Sequence, residues 1–292
     1  TLPTDRSVAA DVAMIDIDAD GAVDYAYVAD TGGSLYRVDF IDGPGSRTAL
    51  DATKWSIHKI AYTQGAGRKF LAAPALLQNG NKVYLAIGSG DREHPLVNDY
   101  PYAGVVNRFY VFKDDLAPSV QPAVNLDTKD TTLMLDKSNA GDCASPPVTP
   151  ASTIKGWYMN LNSAGEQTVS SALIVGGMAV FNTHLPLKSS EGTCATPLGE
   201  ARGYFVNLLN GSGAIGVPGS CGGVRSARFV GGGIAPSPVF ATVLIDGAPK
   251  SVLIGAVKKN GGSSTVISPQ QVRPPISYIR KRTYWNLPNT DN

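Results

Sequence analysis

One phrase recurs along the chain: a short apolar strand entered through small residues, a turn, then a second apolar strand also rich in small residues. Its clearest copies are Ala73-Pro74-Ala75-Leu76 with Tyr84-Leu85-Ala86-Ile87-Gly88, Ser171-Ala172-Leu173-Ile174 with Met178-Ala179-Val180-Phe181, and Ser237-Pro238-Val239-Phe240 with Leu253-Ile254-Gly255. Runs this short, bounded by turn-forming residues, read as strands rather than helices. The 32 glycines and 20 prolines among 292 residues interrupt the chain far more often than the usual combined share of about 12%. No stretch sustains a helical period; residues 4–10 and 51–55 could each make a single turn.

The predicted strands fall into four groups. The first takes residues 12–15, 24–29, 34–40 and 57–62, and the second 73–77, 82–89, 108–112 and 132–135. The third takes 156–161, 169–175, 178–182 and 203–208, and the last 238–244, 251–257, 272–279 and 281–285. Four-stranded units recurring every 60 to 80 residues or so match the blades of a β-propeller, where small residues let inner strands crowd near the axis. A sandwich of two large sheets is the competing architecture. The long polar segments 93–105, 121–130 and 137–153 are loops on that scaffold, where binding surface is commonly carried.

With 43% hydrophobic residues, the chain can fill one large core or two smaller ones, and an all-β fold could use residues 1–292 as a single domain. Net charge is +1 and no Lys/Arg stripe exists, so nothing signals nucleic acid; Arg280-Lys281-Arg282 reads as a solvated strand end. The longest apolar stretch, 172–181, is broken by Gly176-Gly177 and falls far short of the roughly 20 residues of a membrane span. A start at Thr1, without initiator Met or signal peptide, reads as a processed or excised piece of something longer. Cys143, Cys194 and Cys221 sit in loop-like contexts at spacings that match no zinc motif. A Cys194–Cys221 disulfide is the favoured pairing, with Cys143 left over; three unpaired thiols are the alternative.

Residues 16–24 read Asp-Ile-Asp-Ala-Asp-Gly-Ala-Val-Asp. Calcium takes six to eight oxygens at roughly 2.3 to 2.6 Å, and alternate residues of a tight loop can all point inward. Asp16, Asp18, Asp20 and Asp24 would supply carboxylate oxygens, Ala22 its backbone carbonyl, and Gly21 the sharp turn. An EF-hand needs Glu at the twelfth position, but Tyr27 stands there and the flanks read as strands. The ion is therefore expected in a β-hairpin turn, with Asp24 as the bidentate ligand. The plainer reading is a solvated Asp-rich turn, yet four acids so close repel one another unless a cation joins them.

Other constellations carry less. Gly88-Ser89-Gly90-Asp91-Arg92-Glu93 follows a strand but has the spacing of neither a nucleophile elbow nor a phosphate loop. Asp91 and Arg92 read as a pair closing a blade loop, with a second ion or ligand site as the alternative. His58, His94 and His184 lie in different groups at no metal-binding spacing. No serine is marked as a nucleophile, and the acids outside the loop are scattered, against glycoside hydrolysis.

Within residues 13–40, the loop and its continuation Tyr27-Val28-Ala29-Asp30-Thr31-Gly32-Gly33-Ser34-Leu35-Tyr36-Arg37-Val38-Asp39-Phe40 resemble the C-terminal domain of the PilY-type type IV pilus biogenesis factors and tip-associated adhesins. Further likenesses are Ala86-Ile87-Gly88-Ser89-Gly90-Asp91-Arg92, Gly156-Trp157-Tyr158-Met159-Asn160-Leu161 and Gly165-Glu166-Gln167-Thr168-Val169-Ser170-Ser171, so the resemblance spans roughly 5 to 260. It implies a modified quinoprotein-like β-propeller with about four blades here, the C-terminal portion of a larger one. It implies calcium at Asp16, Asp18, Asp20 and Asp24, with binding and release biasing pilus extension against retraction. Surface attachment, twitching motility and a place at the pilus tip, outer surface or periplasm of a Gram-negative bacterium follow from it. So do the implied partners: minor pilins or other tip subunits, a host or abiotic surface, and upstream blades of the same polypeptide. No catalysis is expected. The alternative is an extracytoplasmic quinoprotein-like oxidoreductase or hydrolase: Ala29-Asp30-Thr31-Gly32-Gly33 with Tyr36 resembles a propeller docking repeat in which Trp is usual. One such repeat is evident, with neither adjacent cysteines nor an obvious cofactor-binding acid beside it.

Overall fold

The computed structural model describes residues 2–44, 46, 48–64, 67–95, 104–117, 121–139, 147–187, 198–215, 222–229, 232–245, 248–254 and 270–271. Expectations for Cys143, Cys194, Cys221 and the strands at 272–285 lie outside them. The described chain is all-β apart from one 3-10 turn, Ala52–Lys54, which Asp51 caps by accepting from the Thr53 N–H. Of the two segments read as possible turns, only 51–55 forms one, since no helix is present at 4–10. Among the described residues no helix is long and apolar enough to cross a membrane.

Four sheets form. The first has β1 (Ala13–Ile15), β2 (Tyr25–Ala29), β3 (Ser34–Asp39) and β4 (Ser56–Tyr62) antiparallel in sequence order. In the second, β5 (Ala75–Asn79), β6 (Lys82–Gly88) and β7 (Arg108–Asp114) run antiparallel. The first is completed by β8 (Val124–Asn125), parallel to β4, and the second by β10 (Gly156–Asn160), with β9 (Met134–Asp136) parallel beyond it. The third sheet holds β11 (Gln167–Thr168), β12 (Leu173–Val175), β13 (Met178–Leu185), β14 (Glu200–Asn207) and β15 (Ser226–Arg228). The fourth joins β16 (Val239–Ile245), β17 (Ala248–Ile254) and β18 (Gln270–Gln271).

Strand membership departs from the sequence grouping in four places, the first being β15, which no predicted strand covers. The strand at 156–160 belongs to the second sheet, paired with β7 along its whole length, and not to the third. The segment 169–175 is split, with β11 before it and β12 at its end. Residues 124–125, read as loop, form β8, and the Leu126 N–H extends the contact to the Tyr62 carbonyl at 2.8 Å.

Successive strand residues point to opposite faces, and the second sheet uses both. Along β6, Val83, Leu85 and Ile87 pack with Tyr25, Tyr27 and Leu35 of the first sheet. Tyr84 and Ala86 enter the other cluster, with Ala179, Phe181 and Val206 of the third sheet. On β7, Tyr110 and Phe112 face one way and Phe109 and Val111 the other. A sheet buried on both faces needs near-continuous apolar strands, as the run 83–87 is. The third sheet repeats the arrangement, sending Met178, Val180 and Phe205 toward Phe240 of the fourth. Sheets packed in series, each sharing a core with the next, are the arrangement of propeller blades.

Polar seams fix how neighbouring sheets meet. Between the first and second, Asp114 accepts from Arg37 and from the Tyr27 hydroxyl at 3.0 Å each, all buried, while Asp127 accepts from Arg68, Arg108 and Tyr110. Between the second and third, Thr168 N–H donates to the Ser89 carbonyl at 3.0 Å. A side chain at Gly90 would bring Cβ to 2.2 Å from the Thr168 carbonyl oxygen, so only glycine admits this approach.

Candidate metal centre

The loop at 16–24 joins β1 to β2, whose last ladder pair is Ile15 with Tyr25. It is built from its own acids. Asp16 accepts from Ala19 and Gly21 N–H at 2.7 and 2.8 Å, Asp18 from Asp20 N–H at 3.2 Å, and Asp20 from Ala22 N–H at 2.7 Å. Asp24 reaches back across the loop to accept from Ile17 N–H at 2.7 Å. Short acidic side chains here hold backbone donors two to seven residues away. Gly21 (φ 95°) takes the left-handed region freely, while Ala19 (φ 61°) takes it at a cost of about 1 kcal/mol.

The curl brings carboxylate oxygens of Asp16, Asp18 and Asp24 within 4.8 Å of one another. Asp20 is exposed and lies outside that group, its Oδ1 turned to the Ala22 N–H. Asp24 is 3% exposed at the base of the loop. Burial pushes its carboxyl above the ordinary range; the Ile17 N–H opposes this, and the charges of Asp18, Asp16 and Asp20 add to it. Asp16, on the open side, is held below its ordinary value chiefly by the Gly21 N–H. A buried carboxylate surrounded by like charge, with oxygens converging from alternate residues, fits a hard divalent cation. Bound there, such an ion would supply the positive charge the loop lacks; Asp16, Asp18 and Asp24 are placed to hold it.

The loop is fastened to the second sheet. Gln78, on β5, donates its side-chain amide to the Ile17 carbonyl at 2.7 Å. Asp30 and Asp39, near in sequence, turn elsewhere: Asp30 accepts from Thr4, Tyr36 and Ser34, and Asp39 from Arg37.

A second gathering of ligand-type side chains consists of Asp91, Glu93 and His94, again within 4.8 Å. The expected Asp91–Arg92 pair is replaced by an ion pair from Lys69 to Asp91 and a contact from His94 Nδ1 at 3.0 Å, with Arg92 exposed. A search for paired histidines overlooks this cluster; its signal is the spacing Asp-x-Glu-His right after a strand. A cavity of about 680 Å³ also opens between the first two sheets, lined by His58, Lys59, Ile60, Phe112, Lys113 and Lys155 among others. Its lysines have structural partners: Lys113 donates to the carbonyls of Thr149, Pro150 and Ser152, Lys155 pairs with Asp115, and Lys59 stands over the Tyr62 ring at 5.3 Å.

No family model matches the chain. A type IV pilus biogenesis factor PilY1 homolog of Xylella fastidiosa strain Temecula1 is 24% identical over an alignment of 225 residues that covers 70% of this chain and 14% of that protein. The crystal structure of the Pseudomonas aeruginosa PilY1 C-terminal domain superposes with a TM-score of 0.62 at 16% identity, over 90% of this chain and 60% of that one. The chain resembles a PilY-type C-terminal domain and has its β-propeller fold. A quinohemoprotein alcohol dehydrogenase from Pseudomonas putida HK5 aligns over 79% of this chain and 30% of its own at a TM-score of 0.39, too slight a likeness to bear on chemistry. The chain thus spans 14% of the curated relative and 60% of the crystallised PilY1 domain.

Proposed function

We propose that this chain is a calcium-binding, surface-exposed module of a type IV pilus biogenesis factor and adhesin, acting by binding and not by catalysis. The supporting observation is the convergence of Asp16 and Asp18 on the buried, like-charged carboxylate of Asp24 in a PilY-type propeller. In this reading Asp20 and the Ala22 carbonyl turn inward to complete calcium's oxygen shell. Binding and release then bias pilus extension against retraction and govern attachment and twitching. The site acts beside tip subunits or minor pilins, a host or abiotic surface, and upstream blades of the same polypeptide, outside the cytoplasm of a Gram-negative bacterium.

Because Asp24 is the acid at the base of the loop, the test centres on it. Titrating calcium chloride into the intact chain in a calorimeter should give a saturable one-site heat. Asp24→Ala should weaken binding by about tenfold or more while leaving the β circular dichroism intact. Absence of any calcium-dependent heat would sink the proposal. The pilus role is tested separately, with the same substitution in the full-length protein in its own bacterium. Unchanged twitching and attachment there, despite lost calcium binding, overturns that role alone.

A further inference from the structure

We propose that Asp91, Glu93 and His94 form a second cation site, for a borderline divalent ion such as zinc, at the seam between the second and third sheets. The three side chains offer two carboxylates and one imidazole, with ligand atoms within 4.8 Å. Calcium favours shells made of oxygen alone, whereas an imidazole among carboxylates suits zinc and its neighbours. The second observation is at Asp91, which is 5% exposed: its Oδ1 is buried and accepts no hydrogen bond. An ionised oxygen left without a partner in the interior costs free energy unless something positive meets it. Positive charge already stands on the other oxygen, Oδ2, as the Lys69 ammonium at 2.5 Å, with His94 Nδ1 at 3.0 Å.

The turn is built before any ion arrives. His94 N–H donates to the Asp91 carbonyl at 2.9 Å. Gln167, fully buried on β11, accepts from Asp91 N–H at 2.5 Å and donates to the His94 carbonyl at 3.3 Å. Holding both ends of the turn from the neighbouring sheet limits the ordering needed on binding. Neutral His94 would offer a ring nitrogen, and Lys69, whose side chain is 35% exposed, can swing its ammonium into water as the ion takes Asp91. Water would fill the remaining positions on the half-exposed side.

The test is a zinc chloride titration of the intact chain, already saturated with calcium so that the first loop is occupied. Wild type should bind zinc in a way that calcium does not displace. His94→Gln, at a half-exposed position that does not endanger folding, should weaken binding by about tenfold or more. Lys69→Met, which removes the competing ammonium, should tighten it, a change that a merely structural role for Lys69 does not produce. Zinc bound by His94→Gln as tightly as by wild type overturns the site, and so does complete displacement by calcium.

Discussion

Asp24 differs from the other acids of its loop in being buried, and that sets the sign of what it does without an ion. Its carboxyl is raised by desolvation first and by Asp18, Asp16 and Asp20 as well. A group whose folded pKa lies above its unfolded one binds more protons in the native state, so its contribution to stability falls as pH rises through the window between the two. At neutral pH the ion-free loop therefore carries a buried charge it would be better without. In EDTA, Asp24→Asn, which keeps an oxygen for the Ile17 N–H, should not lower the thermal midpoint. With calcium at about 100 times its Kd, wild type should gain about 2.7 kcal/mol and the variant much less. A midpoint that drops equally in both conditions would show Asp24 to be structural only. The acids and their spacing were legible in sequence, since each is local; that the Asp20 carboxylate turns to the Ala22 N–H and away from the other three was not, because it depends on which backbone N–H each carboxylate selects.

Strands, as elements, were legible too, but their partners were less so. Alternating or continuous apolar runs mark β2, β3, β6, β7, β13 and β14 from local pattern alone. Where the strand at 156–160 pairs is decided by hydrogen bonds to residues 108–112, and no local property of Gly156-Trp157-Tyr158-Met159-Asn160 reports that. Two-residue strands such as β8 and β11 carry no period at all. The seam at Gly90 shows how tightly such long-range choices are enforced. Gly90→Ala forces a methyl against the Thr168 carbonyl and should cost about 2 kcal/mol by overpacking, measured by urea unfolding. No loss of stability would mean that the second and third sheets can part without penalty at that point.

Across the whole molecule, cores are shared and not owned. Phe109 of the second sheet stacks on Phe181 of the third with ring centroids 3.7 Å apart, and Phe181 on Tyr204 at 4.8 Å. Sheets in series were foreseeable from the repeated strand pairs, because small and apolar residues on both faces leave few alternatives to stacking. The crossing segments that lock one sheet to the next were not. The strand β8 carries a consequence for the order in which the chain matures. The first sheet receives its last strand, paired to residues 61–62, only after β5, β6 and β7 have been made, and the Arg37–Asp114 contact likewise waits for the end of β7. A nascent chain halted before residue 124 should hold its first sheet unfinished, whatever its local propensity. In the completed protein, amide hydrogens of β4 and β7 should exchange with deuterium as one cooperative unit; separate exchange rates for the two would refute the coupling. The first sheet is thus finished only once three strands of the second have been made.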